Sequence, residues 1–264
     1  MRRMFGVVAA ATAVAATTLA APPAHAGRSH WRVSIHVARS TVEVGQKIRF
    51  TGKVSRAASG RLVKLYERAS SDSSWHYQRN ALVRRDGSYA TYDRPTVNRQ
   101  RQYRVVMPAT QHHRKGVSRT VVVDVYRWTS LTSMTAVNDQ DFDAVSSVSM
   151  DAVSYPASLA AEIFHYQGAP TSQAVEYNLG HACTRFRGTF GLSDDSVTGS
   201  QATVTALADG TPWFDQSFGV GQSTPNAITW TTAPLKLRFE SVSTVDGADG
   251  LGAVGTPEVY CEQR

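Results

Sequence analysis

The sequence predicts an all-β protein built as two sandwiches in series, and three observations predict it. Apolar residues recur at every second position through most of the chain, which is the period of half-buried strands and not of helices. Turn-forming clusters such as "EVGQ", "AASG" and "RRDGS" cut these runs short, as strands in a sandwich require. The third observation is electrostatic. Residues 27–128 hold 21 Lys and Arg against 6 Asp and Glu, a net of +15, whereas residues 129–264 hold 5 against 15, a net of −10. The overall charge of +7 therefore conceals a basic half joined to an acidic half, consistent with two domains in a chain of this length.

The first 26 residues read as a leader. Arg2 and Arg3 precede an apolar run from Phe5 through Leu19, followed by Ala24-His25-Ala26. A basic start, a short apolar stretch and small residues flanking a cleavage point form a secretory signal, with cleavage expected before Gly27. Thr12, Thr17 and Thr18 interrupt the run, which is too short to cross a bilayer comfortably. No later stretch reads as a membrane span, so the expected product is secreted and soluble.

In the basic half, residues 27–128, "WRVSIHVA" puts Trp31, Val33, Ile35 and Val37 on one face, and "QKIRFTGKV" does the same with Ile48 and Phe50. "RTVVVDVYRW" aligns Val121, Val123 and Val125. Asp86-Gly87, between "ALVR" and "YATY", has the composition of a hairpin turn. About seven strands in about a hundred residues predict an immunoglobulin-like sandwich.

The acidic half, residues 129–264, repeats the pattern. Val175, Tyr177 and Leu179 alternate in "VEYNLG", as do Leu235, Leu237 and Phe239 in "LKLRFES". "ATVTALADGTPWFDQSF" reads as two strands joined at Ala208-Asp209-Gly210, and only "PASLAAEIF" could form a short helix. Cys183 and Cys261 are the chain's two cysteines. In an exported protein they most simply form one disulfide, tying "HACTRF" to "EVYCEQR".

Two resemblances follow from these stretches. The run "TGKV…GRLVKLYERASSDSSWHYQ…RRDGSYATY…RQYRVVMPAT…VSRTVVVDVY" resembles the immunoglobulin-like modules of exported bacterial proteins, which implies spacing or adhesion. "VEYNLGHACTRFRGTFGLSDDS", "ATVTALADG" and "LKLRFESV" resemble the NPCBM-type carbohydrate-binding module found beside glycosyl hydrolase family 98 catalytic domains. That resemblance covers about residues 129–261 and implies a jelly-roll-like sandwich that binds galactose-type sugars and related glycans. Family members commonly carry His and Trp in an Asp-rich segment before the last strand. Here that segment reads "TVDGADGLGAVGTPEVYC", with Asp246 and Asp249 and neither His nor Trp.

Sugar recognition asks for an exposed aromatic ring beside groups that read hydroxyls. In "PWFDQSF", if Phe214 and Phe218 face the core, Trp213 stands outward beside Asp215, the leading sugar-stacking pair. Tyr166 in "FHYQG" is a second candidate, and Trp230, alternating with Ile228, reads as core. "NDQDFD" spaces Asp139, Asp141 and Asp143 like the start of a calcium loop, and "DGADG" offers Asp246 and Asp249. Both lack the rest of an EF-hand, so a structural calcium is the only cofactor to consider. Asp194-Asp195 reads as a turn, because neighbours on a strand point to opposite faces. His112-His113-Arg114-Lys115 reads as a basic loop.

No nucleophile elbow, HExxH or phosphate-cradling glycine loop is present, so no catalytic residues are assigned. The expected function is non-catalytic glycan binding by the C-terminal module. The alternative is a structural or adhesive protein whose basic module contacts anionic cell-wall polymers. The basic half lacks nucleic-acid-binding motifs.

Overall fold

The computed structural model describes residues 28–161, 172–244 and 250–263. Among these residues the regular structure is strand, joined by turns and loops, with short 3-10 turns at Arg56–Ala58 and Leu131–Ser133. The expected leader (residues 1–26), Tyr166, Asp246 and Asp249 lie outside the described residues.

Two hydrophobic cores organise the strands. The first lies between a three-stranded sheet (His36–Val37, Ile48–Lys53, Ser88–Asp93) and a larger one (His76–Leu82, Leu62–Ala69, Arg101–Met107, Val121–Ser130, with Thr41–Glu43 at its margin). Trp31, Ile48, Phe50, Val121, Val123 and Val125 are buried there, following the alternation. Tyr89 and Tyr103 cross this core with their hydroxyls satisfied, on the Ser34 carbonyl and the Asp93 carboxylate. The second core gathers Val175, Tyr177, Leu179, Phe186, Phe190, Phe218, Leu237 and Phe239. It lies between a five-stranded sheet (Asn138–Gln140, Ser172–Asn178, Lys236–Ser243, Gln201–Ala208, Thr211–Gly219) and a second sheet (Phe142–Met150, Val153–Ala161, Gly252–Cys261, Cys183–Leu192, Ser223–Thr229).

One strand belongs to both assemblies. Val121–Ser130 pairs through Val121–Val123 with Arg101–Tyr103 of the first, and through Arg127–Ser130 with Glu258–Cys261 of the second. Tyr260 stacks on Tyr126 at 5.0 Å and leans on Trp128 at 5.1 Å across this junction. The Asn98 side-chain amide also donates to the Cys261 carbonyl, at 3.2 Å.

The Cys183–Cys261 disulfide forms as expected, closing 78 residues. Ala208-Asp209-Gly210 is the expected hairpin, with Asp209 and Gly210 both at positive φ (50° and 79°), as a tight two-residue turn demands. The Asp194 carboxylate accepts the N–H groups of Asp151 and Ala152 at 3.0 Å each, securing a neighbouring turn whose two central residues both have positive φ. That is the work of a turn aspartate, not of an acid–base pair.

Three local expectations are corrected. Asp86-Gly87 does make a tight turn, with Gly87 at φ 82°. However, the strands on either side enter different sheets, so the turn links two layers and is not a hairpin. The segment 156–161, part of the candidate helix "PASLAAEIF", is the end of strand Val153–Ala161; residues 162–164 lie outside the described residues. In "PWFDQSF" the alternation breaks. Ala206 pairs with Phe214 and Leu207 with Pro212, leaving Trp213 as the extra residue of a β-bulge.

Candidate functional site

The bulge decides where Trp213 goes. An added residue re-aims the side chains that follow the break. Trp213 packs at ring-centroid distances of 5.2 Å from Phe186 and 5.8 Å from Phe190, beside Trp230. Its indole N–H is buried and has no acceptor among the described residues. Asp215 is exposed on the sheet surface and accepts a hydrogen bond from the Thr205 hydroxyl at 3.0 Å. The outward Trp213–Asp215 pair is therefore not assembled: the ring joins the core margin and the carboxylate faces away. Trp230 packs against the core, as expected.

The aspartate triplet converges only in part. Asp139 accepts the Phe142 N–H at 3.4 Å. Burial first, and then the neighbouring Asp143 carboxylate, raise the Asp139 pKa above the ordinary carboxylate range. Burial pushes the nearby Tyr177 phenol up to about 12, assisted by the same two carboxylates. Asp141, at φ 57°, occupies the turn between them. Among the described residues no group of three or more His, Cys, Asp or Glu side chains is placed to hold a metal ion.

A different arrangement stands out on the outer face of the second sheet. Strands Cys183–Leu192 and Gly252–Cys261 run side by side, with an irregularity between Arg187 and Thr189 opposite Gly255–Glu258. Gly188 and Gly255 line the trough there without side chains of their own. A Cβ at Gly255 would lie 2.5 Å from the Tyr155 ring and 2.8 Å from the Met150 methyl, so the ring packs directly on bare backbone. The result is an open groove of about 600 Å³ between Tyr155 on one side and Pro225, Asn226 and Ala227 on the other.

Its polar groups are held in place. Arg187 donates from Nε and Nη2 to Glu258 Oε2 at 2.6 Å, and its guanidinium lies 4.2 Å from the centre of the Trp128 ring. Two contacts on different sides fix the planar group, as suits a guanidinium better than an ammonium. On the opposite rim Ala157 and Thr256 both have positive φ, 49° and 45°. Non-glycine residues rarely keep such angles unless their surroundings enforce them. Here buried Ser158 enforces them: its hydroxyl accepts from Thr256 N–H at 3.3 Å and donates to the Tyr155 carbonyl at 2.8 Å. The Thr256 hydroxyl in turn donates to the Pro156 carbonyl.

An aromatic wall, a guanidinium–carboxylate pair, an amide and hydroxyls thus face one shallow trough. Sequence alternation alone places Arg185 and Arg187 opposite Phe186, and Glu258 and Tyr260 opposite Val259. It does not reveal that the two strands meet, or that Gly255 lets the Tyr155 ring seat on bare backbone.

No family model matches the chain, and no curated protein matches it. Solved structures similar to it include the second CBM51 module, in complex with GlcNAc, together with INT domains, of ZmpB from Clostridium perfringens. That match has 7% identity and a TM-score of 0.36, covering 87% of this chain and 48% of the other, so the chain spans about half that structure's length. A CBM36 carbohydrate-binding module in complex with calcium and xylotriose matches 51% of this chain and 98% of its own, at 14% identity and a TM-score of 0.27. Allantoicase from Saccharomyces cerevisiae matches 86% of this chain and 79% of its own, at 10% identity and a TM-score of 0.29. Several of the similar structures are thus carbohydrate-binding modules, and one is an enzyme.

Proposed function

We propose that this is an exported, non-catalytic carbohydrate-binding protein of two modules, immunoglobulin-like then NPCBM-type, whose second module holds a glycan in the Tyr155–Arg187–Glu258 groove. The observation that supports this reading is the convergence of ring, ion pair and amide on a glycine-lined trough. The Tyr155 ring offers an apolar surface to the C–H face of a pyranose. Glu258 accepts from sugar hydroxyls, Arg187 donates to them, and the Asn226 amide does both. Because Arg187 and Glu258 already hold one another, little side-chain freedom is lost on binding. An open groove leaves one side of the sugar in water, so single-site affinity is weak and useful retention comes from repeated sites.

The test is a glycan array with the full chain, with and without calcium. Calcium is varied because Asp139 and Asp143 adjoin one another. Specific retention that is lost in Tyr155→Ala and reduced at least tenfold in Glu258→Gln supports the reading. A blank array, or retention that Tyr155→Ala leaves intact, refutes it.

A further inference from the structure

The outer face of the three-stranded sheet in the basic half gathers cations around an exposed ring. Arg49 and Tyr92 are direct cross-strand partners on Ile48–Lys53 and Ser88–Asp93, and both are exposed. The Tyr92 ring is flanked by two cations, with Arg79 at 3.7 Å and Lys47 at 4.2 Å from its centre. Arg79 above all, then Lys47 and Arg94, lower the pKa of its phenol from the usual range. A shallow groove of about 140 Å³ runs over Lys47, Arg49 and Tyr92. A second, of about 400 Å³, shares Lys47 and Arg49 and continues to Arg39.

Arg39, Lys47 and Arg49 therefore line one path, with Arg79 and Arg94 beside its Tyr92 end, and no ion pair described joins any of the five to a carboxylate. The Arg79 Nε–H is buried and has no acceptor among the described residues. The acidic groups nearby face elsewhere. Asp93 is buried and takes the Tyr103 hydroxyl, Glu67 is buried against Arg101, and Asp86 is engaged with Ser88 beside Lys53. Like charges crowded together without counter-charge raise the free energy of the empty surface, and a polyanion relieves it.

We propose that this face binds a linear polysaccharide carrying sulfate or carboxylate groups. Charge complementarity selects a polyanion, and the aromatic geometry selects the kind. Single-stranded nucleic acids hold to proteins by stacking bases on free aromatic faces, but Lys47 and Arg79 already occupy the Tyr92 ring. Lys47 and Arg49, both exposed, flank buried Ile48 and so stand about 6.6 Å apart in extended backbone, which suits charges repeated along an extended chain. This site is independent of the Tyr155 groove, so either can fail without the other.

Binding of heparin and of polygalacturonate to the full chain, measured by calorimetry over a series of salt concentrations, tests the proposal. The two probes separate sulfate from carboxylate recognition. The triple variant Lys47→Gln, Arg49→Gln, Arg79→Gln weakens binding at least tenfold and makes it less salt-sensitive, with its melting temperature unchanged or raised. The variant Arg114→Gln, Lys115→Gln, Arg119→Gln removes the same charge from exposed positions elsewhere in the basic half and changes affinity less than threefold. Equal weakening by the two triples overturns the site. Binding of charge-matched single-stranded DNA as tight as heparin overturns the class of ligand. Tyr155→Ala leaves both probes bound.

Discussion

The two halves share a construction and differ in how they treat charge. Both enclose an aromatic-rich core between sheets. In the acidic half, Arg187, Lys236 and Arg238 each pair with a glutamate, Glu258, Glu176 and Glu240 respectively. The basic half shows the reverse. Its one described ion pair is the buried Arg101–Glu67 contact, while cations crowd Tyr92 and flank Trp75, where Arg104 and Arg68 lie 4.0 and 4.8 Å from the ring. Across the junction the contacts described are backbone pairs, ring stacks, an amide hydrogen bond and the Arg187 guanidinium over the Trp128 ring. The lesson is that an excess of charge left unpaired on a surface is available for a ligand, whereas the same side chains paired are part of the scaffold.

The sharpest way to break this comparison is the disulfide, which lies in the acidic half alone. Reduction, or Cys183→Ser with Cys261→Ser, lowers that half's stability by about 4 kcal/mol on the loop-entropy account. Denaturant unfolding followed by tryptophan fluorescence measures it. Two resolved transitions, with only the acidic one displaced, mean the halves unfold separately; a single displaced transition means the shared strand couples them.

Alkali separates the halves next. Burial holds the Tyr89 and Tyr103 phenols of the basic half above the usual range, and Tyr177 of the acidic half at about 12. Above pH ~10 an unfolded phenol loses its proton while the native one keeps it, so the unfolded state binds fewer protons. Stability present below pH ~10 therefore falls as pH rises. Each retained proton contributes about 1.4 kcal/mol per pH unit, through Tyr89 and Tyr103 in the basic half and through Tyr177 and the less deeply buried Tyr260 in the acidic half. Stability measured between pH 9 and 12 reads the two slopes.

The smallest effect contrasts two glycines that meet tyrosines. A Cβ at Gly255 meets the Tyr155 ring, whereas one at Gly52 meets the Ser34 carbonyl and the Tyr89 hydroxyl. Gly255→Ala costs about 1–3 kcal/mol and abolishes glycan retention. Gly52→Ala costs more, because backbone blocks it, yet leaves retention unchanged. Array binding beside thermal melts distinguishes them.

Much of this architecture was legible from alternation: the buried runs at Val121–Val125, Val175–Leu179 and Leu237–Phe239 lie where a period of two puts them. The disulfide was legible from the cysteine count together with the expectation of export. What failed did so for local reasons. One extra residue at Trp213 reversed a face, and a turn at Asp86-Gly87 carried the chain between layers. The groove was the least legible part. Tyr155, Arg187, Asn226 and Glu258 come from four strands whose register no local pattern encodes, and the Tyr155 ring takes its place there because Gly255 has no side chain.

The strand Val121–Ser130 has a mechanical meaning. It leaves the first core at Val125 and reaches the second at Leu131 without an intervening linker. A load applied to one module passes into the other through four ladder pairs and a column of stacked rings. The angle between the two faces is accordingly fixed by covalent chain and sheet rather than by a hinge. Two polymers held on those faces would be kept at a set bearing to one another, as by a bracket.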